Sequence, residues 1–239
     1  GGKADALNAC INYSDSRLFC AIDADSLIEK DALIKIVHPY LERDTKIVAL
    51  GGIIRISNGS RIENGEVVEA RVSGKLLPMF QVVEYIRAFL CGRTGWNRLN
   101  SLLIISGAFG LFDRKLVLEA GGYHLDTVGE DMELVLRLHK IIRDSKMEYK
   151  MVFIPNPVAW TQVPESLKIL SSQRNRWQRG LIESLLRHIK MFLNPKYGII
   201  GMVGIPYFFF FEMLGPVIEI TGLFVFIISW LFGWINREF

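Results

Sequence analysis

Three cysteines, four histidines and eight prolines in 239 residues already exclude several kinds of protein. Cys10, Cys20 and Cys91 form an odd set without metal-ligand spacing and cannot staple a fold, so they read as reduced thiols of a cytosolic compartment. Charge of one sign is also scarce. Lys and Arg number 28 against 25 Asp and Glu, a net charge of +3, which gives no electrostatic basis for wrapping nucleic acid and rules out an acidic disordered chain. There is no collagen period, internal repeat or low-complexity linker. An initiator Met and a charged region leading into an apolar signal core are missing too. The chain opens on Gly1-Gly2-Lys3, as if cut from a longer polypeptide, so an N-terminally truncated fragment is expected.

Apolar residues, by contrast, make up 50% of the chain, and the mean hydropathy of +0.26 is high for a soluble domain of ordinary composition. The excess lies at one end. Residues 198–235 carry only two charges, Glu212 and Glu219, and hold 7 of the 15 Phe. Without that stretch the remaining composition is ordinary. A helix crossing a bilayer core needs about 20 residues, so this tail holds either one long tilted span or two short ones broken near Gly215-Pro216; two is the preferred reading. A buried hairpin of a large soluble protein is the alternative, but Ile205 to Phe211 has no polar face. Both glutamates would be costly in lipid and are expected to face protein or a wet pathway. Just ahead, residues 166–197 carry seven Lys or Arg and one Glu, a cationic flank suited to the cytoplasmic side of a membrane.

The first 165 residues read as an α/β layer. The apolar run Leu18 to Ile22 ends at Asp23-Ala24-Asp25-Ser26, and Leu33, Val37, Tyr40 and Leu41 then recur at helical spacing, with Ser26 and Glu29 spaced as a capping box. Ile47 to Ile56 predicts a second strand, closed by the turn signal Asn58-Gly59. Pro78 to Leu90 predicts a helix, Leu102 to Phe112 a Gly-interrupted strand or loop, Glu130 to Ile142 a strong helix, and Met151 to Ile154 a last strand ahead of Pro155 and Pro157. Strands alternating with helices argue for a largely parallel sheet.

Three patterns carry possible chemistry. Asp23 and Asp25 flank one small residue at the carboxyl end of a predicted strand, where open α/β sheets bind ligands. Such a pair can share a divalent cation or divide between metal and sugar hydroxyl; a solvated acidic turn is the plain alternative. Leu27 and Ile28 rule out an EF-hand loop. Glu130 and Asp131 open a helix whose N-terminus favours their ionised forms, which suits a general base and equally a simple complement to the helix dipole. Gln173, Arg176 and Trp177 combine a cation able to grip phosphate with a flat face that packs on sugar; the same segment also fits a cationic amphipathic helix on lipid.

In their order, Gly-Lys, Asp-x-Asp, Glu-Asp, Gln-x-x-Arg-Trp and then apolar spans, these motifs resemble the membrane-embedded family-two glycosyltransferases: cellulose, chitin and hyaluronan synthases and the bacterial poly-N-acetylglucosamine synthases. Arg176-Trp177-Gln178-Arg179-Gly180 and Phe211-Glu212-Met213-Leu214 look closer to the last of these. The resemblance implies a GT-A type, Rossmann-like nucleotide-sugar domain over residues 1–165 with its first strands missing, basic interface helices over 166–197, and transmembrane segments over 198–235. It implies Lys3, Asp23, Asp25 and Arg176 as donor-binding residues, and Asp25 as ligand to Mg2+ or Mn2+. Asp131 with Glu130 becomes the catalytic pair, and Gln173, Trp177 and Gly107 the acceptor side. The expected activity is inverting transfer from a UDP-sugar to a growing β-linked polysaccharide, with a single addition to a lipid or short acceptor as the alternative and a basic membrane-surface or RNA-binding module as a distant one. The expected partners are the donor, a glycan or lipid acceptor, the bilayer and export or accessory subunits, but no nucleic acid. The expected location is the inner cell membrane, multi-pass in the intact protein, with the catalytic part cytoplasmic. Val128-Gly129-Glu130 departs from the Thr-Glu of cellulose synthases, so cellulose is not favoured. The family's nucleotide-contacting Asp would lie ahead of residue 1.

Overall fold

The computed structural model describes residues 2–42 and 46–234. Helix α1 (Lys3–Tyr13) leads to β1 (Leu18–Ile22), β2 (Leu27–Ile28), α2 (Ala32–Glu42) and β3 (Ile47–Ile56). Strands β4 (Arg61–Glu63) and β5 (Glu66–Glu69) form a hairpin turned by Asn64 and Gly65, both at positive φ. Helix α3 (Leu76–Ile86) continues through a π-helical segment, Arg87–Arg93, into α4 (Thr94–Arg98). There follow β6 (Phe109–Asp113), α5 (Arg114–Glu119), α6 (Glu130–Asp144), β7 (Lys150–Thr161), the long α7 (Leu167–Arg187), the single turn α8 (Ile205–Tyr207) and α9 (Gly215–Leu231).

The main sheet has the order β1-β6-β3-β7-β2. It is mixed, which corrects the expectation of a largely parallel sheet: β3 and β7 are parallel, while β1–β6, β3–β6 and β2–β7 are antiparallel. Alternation of strands and helices does not by itself set direction. β6 is entered from the irregular stretch 101–106 rather than from a crossover helix, and so runs against its neighbours, whereas β7 follows α6 and lies along β3. Strands β1 and β2 sit on opposite edges although only residues 23–26 join them. Five Cα steps reach about 18 Å at most, and four strand spacings of a flat sheet exceed about 19 Å. The sheet therefore curls, and the acidic turn runs across its end.

Central β3 is buried at every position except Arg55, and β6 throughout, as expected for strands covered on both faces. Phe109, Phe112, Leu50, Leu134 and Leu138 fill the core, with Phe19 stacked on Phe112 at 5.5 Å. Two local expectations change. Strand β7 does not end at Ile154: Gly52 pairs with Ile154 and Ile53 with Val158, so residues 155–157 bulge out and the prolines meet no demand for a ladder donor. Ser26 does not cap α2, which begins at Ala32, because Leu27 and Ile28 are drawn into pairing with Trp160 and Ala159. The Asn58-Gly59 turn forms as expected, with Ser60 N–H donating to Ser57 O at 2.9 Å.

A second apolar cluster of Leu103, Met132, Leu136, Leu185, Met191, Tyr197, Ile200, Ile205 and Phe208 joins α6, α7 and the start of the tail. The basic segment is thus packed directly on the helix that carries Glu130 and Asp131. Beyond it, residues Ile200–Met213 and Gly215–Leu231 meet at a 47° bend, where the sequence suggested a break. Among the described residues no single helix is long and apolar enough to cross a membrane, whereas this bent pair together has the length and composition of a span. The two short helices expected on either side of Gly215-Pro216 are these two, and neither is of spanning length alone. Helix α9 buries none of its residues, and Ile235 lies outside the described residues.

Candidate active site

The acidic turn, the start of α6 and one face of α7 open onto a single cleft of about 1550 Å³. Lys3, Asp23, Asp25, Gly107, Glu130, Asp131, Gln173, Arg176 and Trp177 all line it, so every site residue expected from the sequence converges there. On α1, Lys3 reaches the cleft, whereas Asn8 braces the loop before α6 by accepting from Tyr123 N–H at 2.7 Å and donating to Tyr123 O at 2.8 Å.

Lys3 ties the acids together. Its Nζ pairs with Asp23, lies 3.7 Å from Glu130 Oε1, and donates to Gly107 O at 3.2 Å. Gly107 N–H in turn donates to Asp131 Oδ2 at 3.1 Å, and Met132 N–H to Asp131 Oδ1 at 2.8 Å. The peptide of Gly107 therefore bridges the lysine and the second acid, and a side chain at 107 would run into Lys3 Nζ. Burial, then the neighbouring charge of Asp131, raise the Glu130 carboxyl above its ordinary range, with Lys3 opposing. Asp25 is exposed and has no side-chain partner among the described residues. No group of three or more His, Cys, Asp or Glu able to hold a metal occurs among the described residues. An exposed carboxylate beside a lysine-paired one nevertheless fits a hard cation that takes one or two protein carboxylates and completes its shell with phosphate oxygens.

On α7 the i, i+3, i+4 spacing puts Gln173, Arg176 and Trp177 on one face. Gln173 Oε1 is buried without a hydrogen-bond partner among the described residues, Arg176 is exposed, and Trp177 is 41% exposed. Three other arginines of this segment are paired. Arg174 grips both oxygens of Glu84 at 2.5 and 2.6 Å and stacks 4.5 Å from the Trp177 ring, Arg179 pairs with Glu183, and Arg187 with Asp126. Arg176 remains to meet an anion in the cleft.

Sequence reading missed Arg93, the Glu84–Arg174 clamp and Tyr123. Arg93 lines the cleft from the end of the π-helical segment. Burial lowers its guanidinium to about 10, against the charge of Asp131 and a contribution from Tyr85. The Tyr123 hydroxyl is pushed far up by burial and by the charges of Asp131 and Glu130. A lone Arg after Phe89-Leu90-Cys91-Gly92 is a weak sequence signal, and none marks Tyr123. Glu212, from the apolar tail, also lines the cleft. Burial pushes the Cys20 thiol up to about 12, consistent with an inert reduced cysteine.

Residues 1–180 match the family described as Glycosyltransferase like family 2. Over 186 residues the chain is 31% identical to the poly-beta-1,6-N-acetyl-D-glucosamine synthase of Staphylococcus aureus (strain COL) and 29% identical to that of Staphylococcus epidermidis; each match covers 78% of this chain and 40% of the relative. The chain thus spans well under half the length of these relatives. A mannosyltransferase from Pyrobaculum calidifontis, solved in complex with GDP-Man and Mn2+, superposes with a TM-score of 0.55 at 18% identity, over 87% of this chain and 49% of that one. That likeness shows a shared fold.

Proposed function

From the premise that the chain belongs to glycosyltransferase family 2, we propose that it carries the catalytic part of an inverting hexosyltransferase that extends a β-linked polysaccharide from a UDP-sugar. The single observation behind this reading is the convergence of Lys3, both acidic pairs and the Gln-x-x-Arg-Trp face on one cleft. The names of the curated relatives favour an N-acetylglucosamine donor and product. In this reading residues 1–165 are the transferase domain, 166–197 an interface segment and 198–235 a membrane-embedded part, with the cleft on the cytoplasmic side. Helix α9 supports the membrane assignment, because an apolar helix exposed all round needs lipid or protein to cover it.

The chemistry is one displacement. Asp131 takes the proton of an acceptor hydroxyl as that oxygen attacks the anomeric carbon, while the bond to the diphosphate breaks on the opposite face and its electron pair leaves with phosphate. An α-linked donor thereby yields a β-linkage. Lys3 and Glu130 hold the floor of the donor end, Arg176 meets charge developing on the leaving diphosphate, and Trp177 with Gln173 lines the acceptor side. Mg2+ or Mn2+, held by Asp25 together with diphosphate oxygens, would supply further neutralisation of that charge.

The test is a screen of the intact protein in membranes against UDP-glucose, UDP-N-acetylglucosamine and UDP-glucuronic acid, reading released UDP. Asp131→Asn should keep donor binding and lose at least about 10²-fold in transfer; turnover within twofold of the unmodified protein refutes the base assignment. Product length by mass spectrometry separates a polymerase from an enzyme adding one sugar to a lipid or short acceptor.

A further inference from the structure

Among the buried polar groups of the cleft, Arg93 is the cation without a partner at one of its nitrogens. Its guanidinium face lies 3.8 Å from the Phe89 ring centroid, and Nη1 is shut off from solvent with no hydrogen-bond partner among the described residues. The face being occupied, its N–H groups can be used only in the guanidinium plane. Asp131 does not fill that need, since the hydrogen bonds it accepts come from the backbone N–H groups of Gly107 and Met132. A buried donor left empty is costly, and π-helical segments such as Arg87–Arg93 recur at functional sites.

We propose that Arg93 is a substrate-binding residue of the cleft, its guanidinium donating to an oxygen of the acceptor sugar whose hydroxyl Asp131 engages. This rests on the transferase reading above. The choice of a neutral sugar oxygen over a diphosphate follows from the surroundings. Trp96, one helical turn from Arg93, lines the cleft with it, and such an apolar wall matches the C–H face of a sugar while offering a dianion nothing in exchange for its water. Trp96 is itself held against Tyr207 and Phe208 at 5.2 and 6.0 Å, which gives this wall a rigid backing.

The experiment compares the intact protein with its Arg93→Met and Arg93→Lys variants. UDP-N-acetylglucosamine serves as donor and a β-1,6-linked N-acetylglucosamine tetrasaccharide as acceptor. Donor affinity is measured by calorimetry, UDP release is followed with and without acceptor, and thermal melting is recorded alongside. The expected result for Arg93→Met is an acceptor KM raised about tenfold or more, with donor Kd and acceptor-free UDP release within twofold of the unmodified protein. Arg93→Lys, which keeps charge and a donor, should fall between. A donor Kd that rises as much as the acceptor KM overturns the proposal in favour of a phosphate contact, and no change in either overturns it in favour of a purely structural residue. Should Arg93→Met fail to fold, Arg93→Lys decides: an acceptor KM equal to that of the unmodified protein refutes the contact. An intact, unmodified protein with no turnover on any UDP-sugar fails the transferase reading itself, and this inference with it.

Discussion

Replacing Gly180 by Ala tests whether the cleft depends on how closely α7 approaches the start of α6. Gly180 faces Gly129, the residue before Glu130, and a Cβ at position 180 would stand 2.7 Å from Gly129 Cα and 2.9 Å from Gly129 N. Ordinary contact begins at 3.4 Å. Both neighbours are backbone, so no side chain can swing aside, and the two helices must part by about 0.7 Å or more. Ala is favoured over Gly inside a helix by about 1 kcal/mol, while overpacking of this kind costs about 1–3 kcal/mol. The net loss of stability is then between about 0 and 2 kcal/mol, a fall in Tm of no more than about 8 °C for a chain of this size. Function should suffer far more. Asp131 moves with α6, and Gln173, Arg176 and Trp177 move with α7, so the acid and the Arg-Trp face lose register by that same separation. A misplacement of about 1 Å costs on the order of 10² in rate. The expected outcome is at least a tenfold loss of UDP-sugar turnover with only a modest shift in melting, both read on the same preparation. Unchanged turnover together with an unchanged or raised Tm would show that this helix contact does not set the geometry of the site.

Three further outcomes are expected. His139 is buried between the Tyr149 hydroxyl at 2.5 Å and Leu102 O at 2.9 Å, and burial lowers its pKa to about 4 from 6.5. The unfolded chain then binds this proton below about 6.5 while the folded chain does not until about 4. Stability is therefore full above that window and falls by about 3 kcal/mol as pH drops across it; urea unfolding at pH 7, 5.5 and 4.5 checks this, and a flat profile between 7 and 5 contradicts it. At Gly107 an added methyl would meet Lys3 Nζ, a movable group, so Gly107→Ala should leave Tm unchanged but disturb the half-exposed Lys3–Asp23 pair. Such pairs are worth up to about 1 kcal/mol, so a two- to fivefold rise in donor KM is expected, and a large loss of stability would count against this account. Chelation with EDTA should stop transfer and Asp25→Asn should reproduce the loss; full activity without divalent ions removes the metal role.

Much of the candidate site was legible because its chemistry lies in short motifs. Asp23 and Asp25 share one turn, Glu130 and Asp131 begin one helix, and Gln173, Arg176 and Trp177 occupy one helical face, so local periodicity alone groups each set. Strand β3 and helix α6 could be read for the same reason, from an unbroken apolar run and from a 3.6-residue repeat. The capping box at Ser26 and the strand end at Ile154 misled, because pairing with a distant strand outweighed local signals: Leu27 and Ile28 bind β7, and β7 absorbs two prolines in a bulge.

By itself, then, the sequence determined the apolar tail, the cationic flank, the alternation of elements and the three motifs, since each is a property of neighbouring residues. Only the tertiary structure decided that the sheet is mixed and curled, that Lys3 and the Gly107 peptide link acids more than 100 positions apart, that Arg174 is spent on Glu84 while Arg176 is left to the cleft, and that Arg93 stands beside them. Those outcomes depend on which surfaces pack together, and packing is settled by contacts between segments that no local pattern encodes.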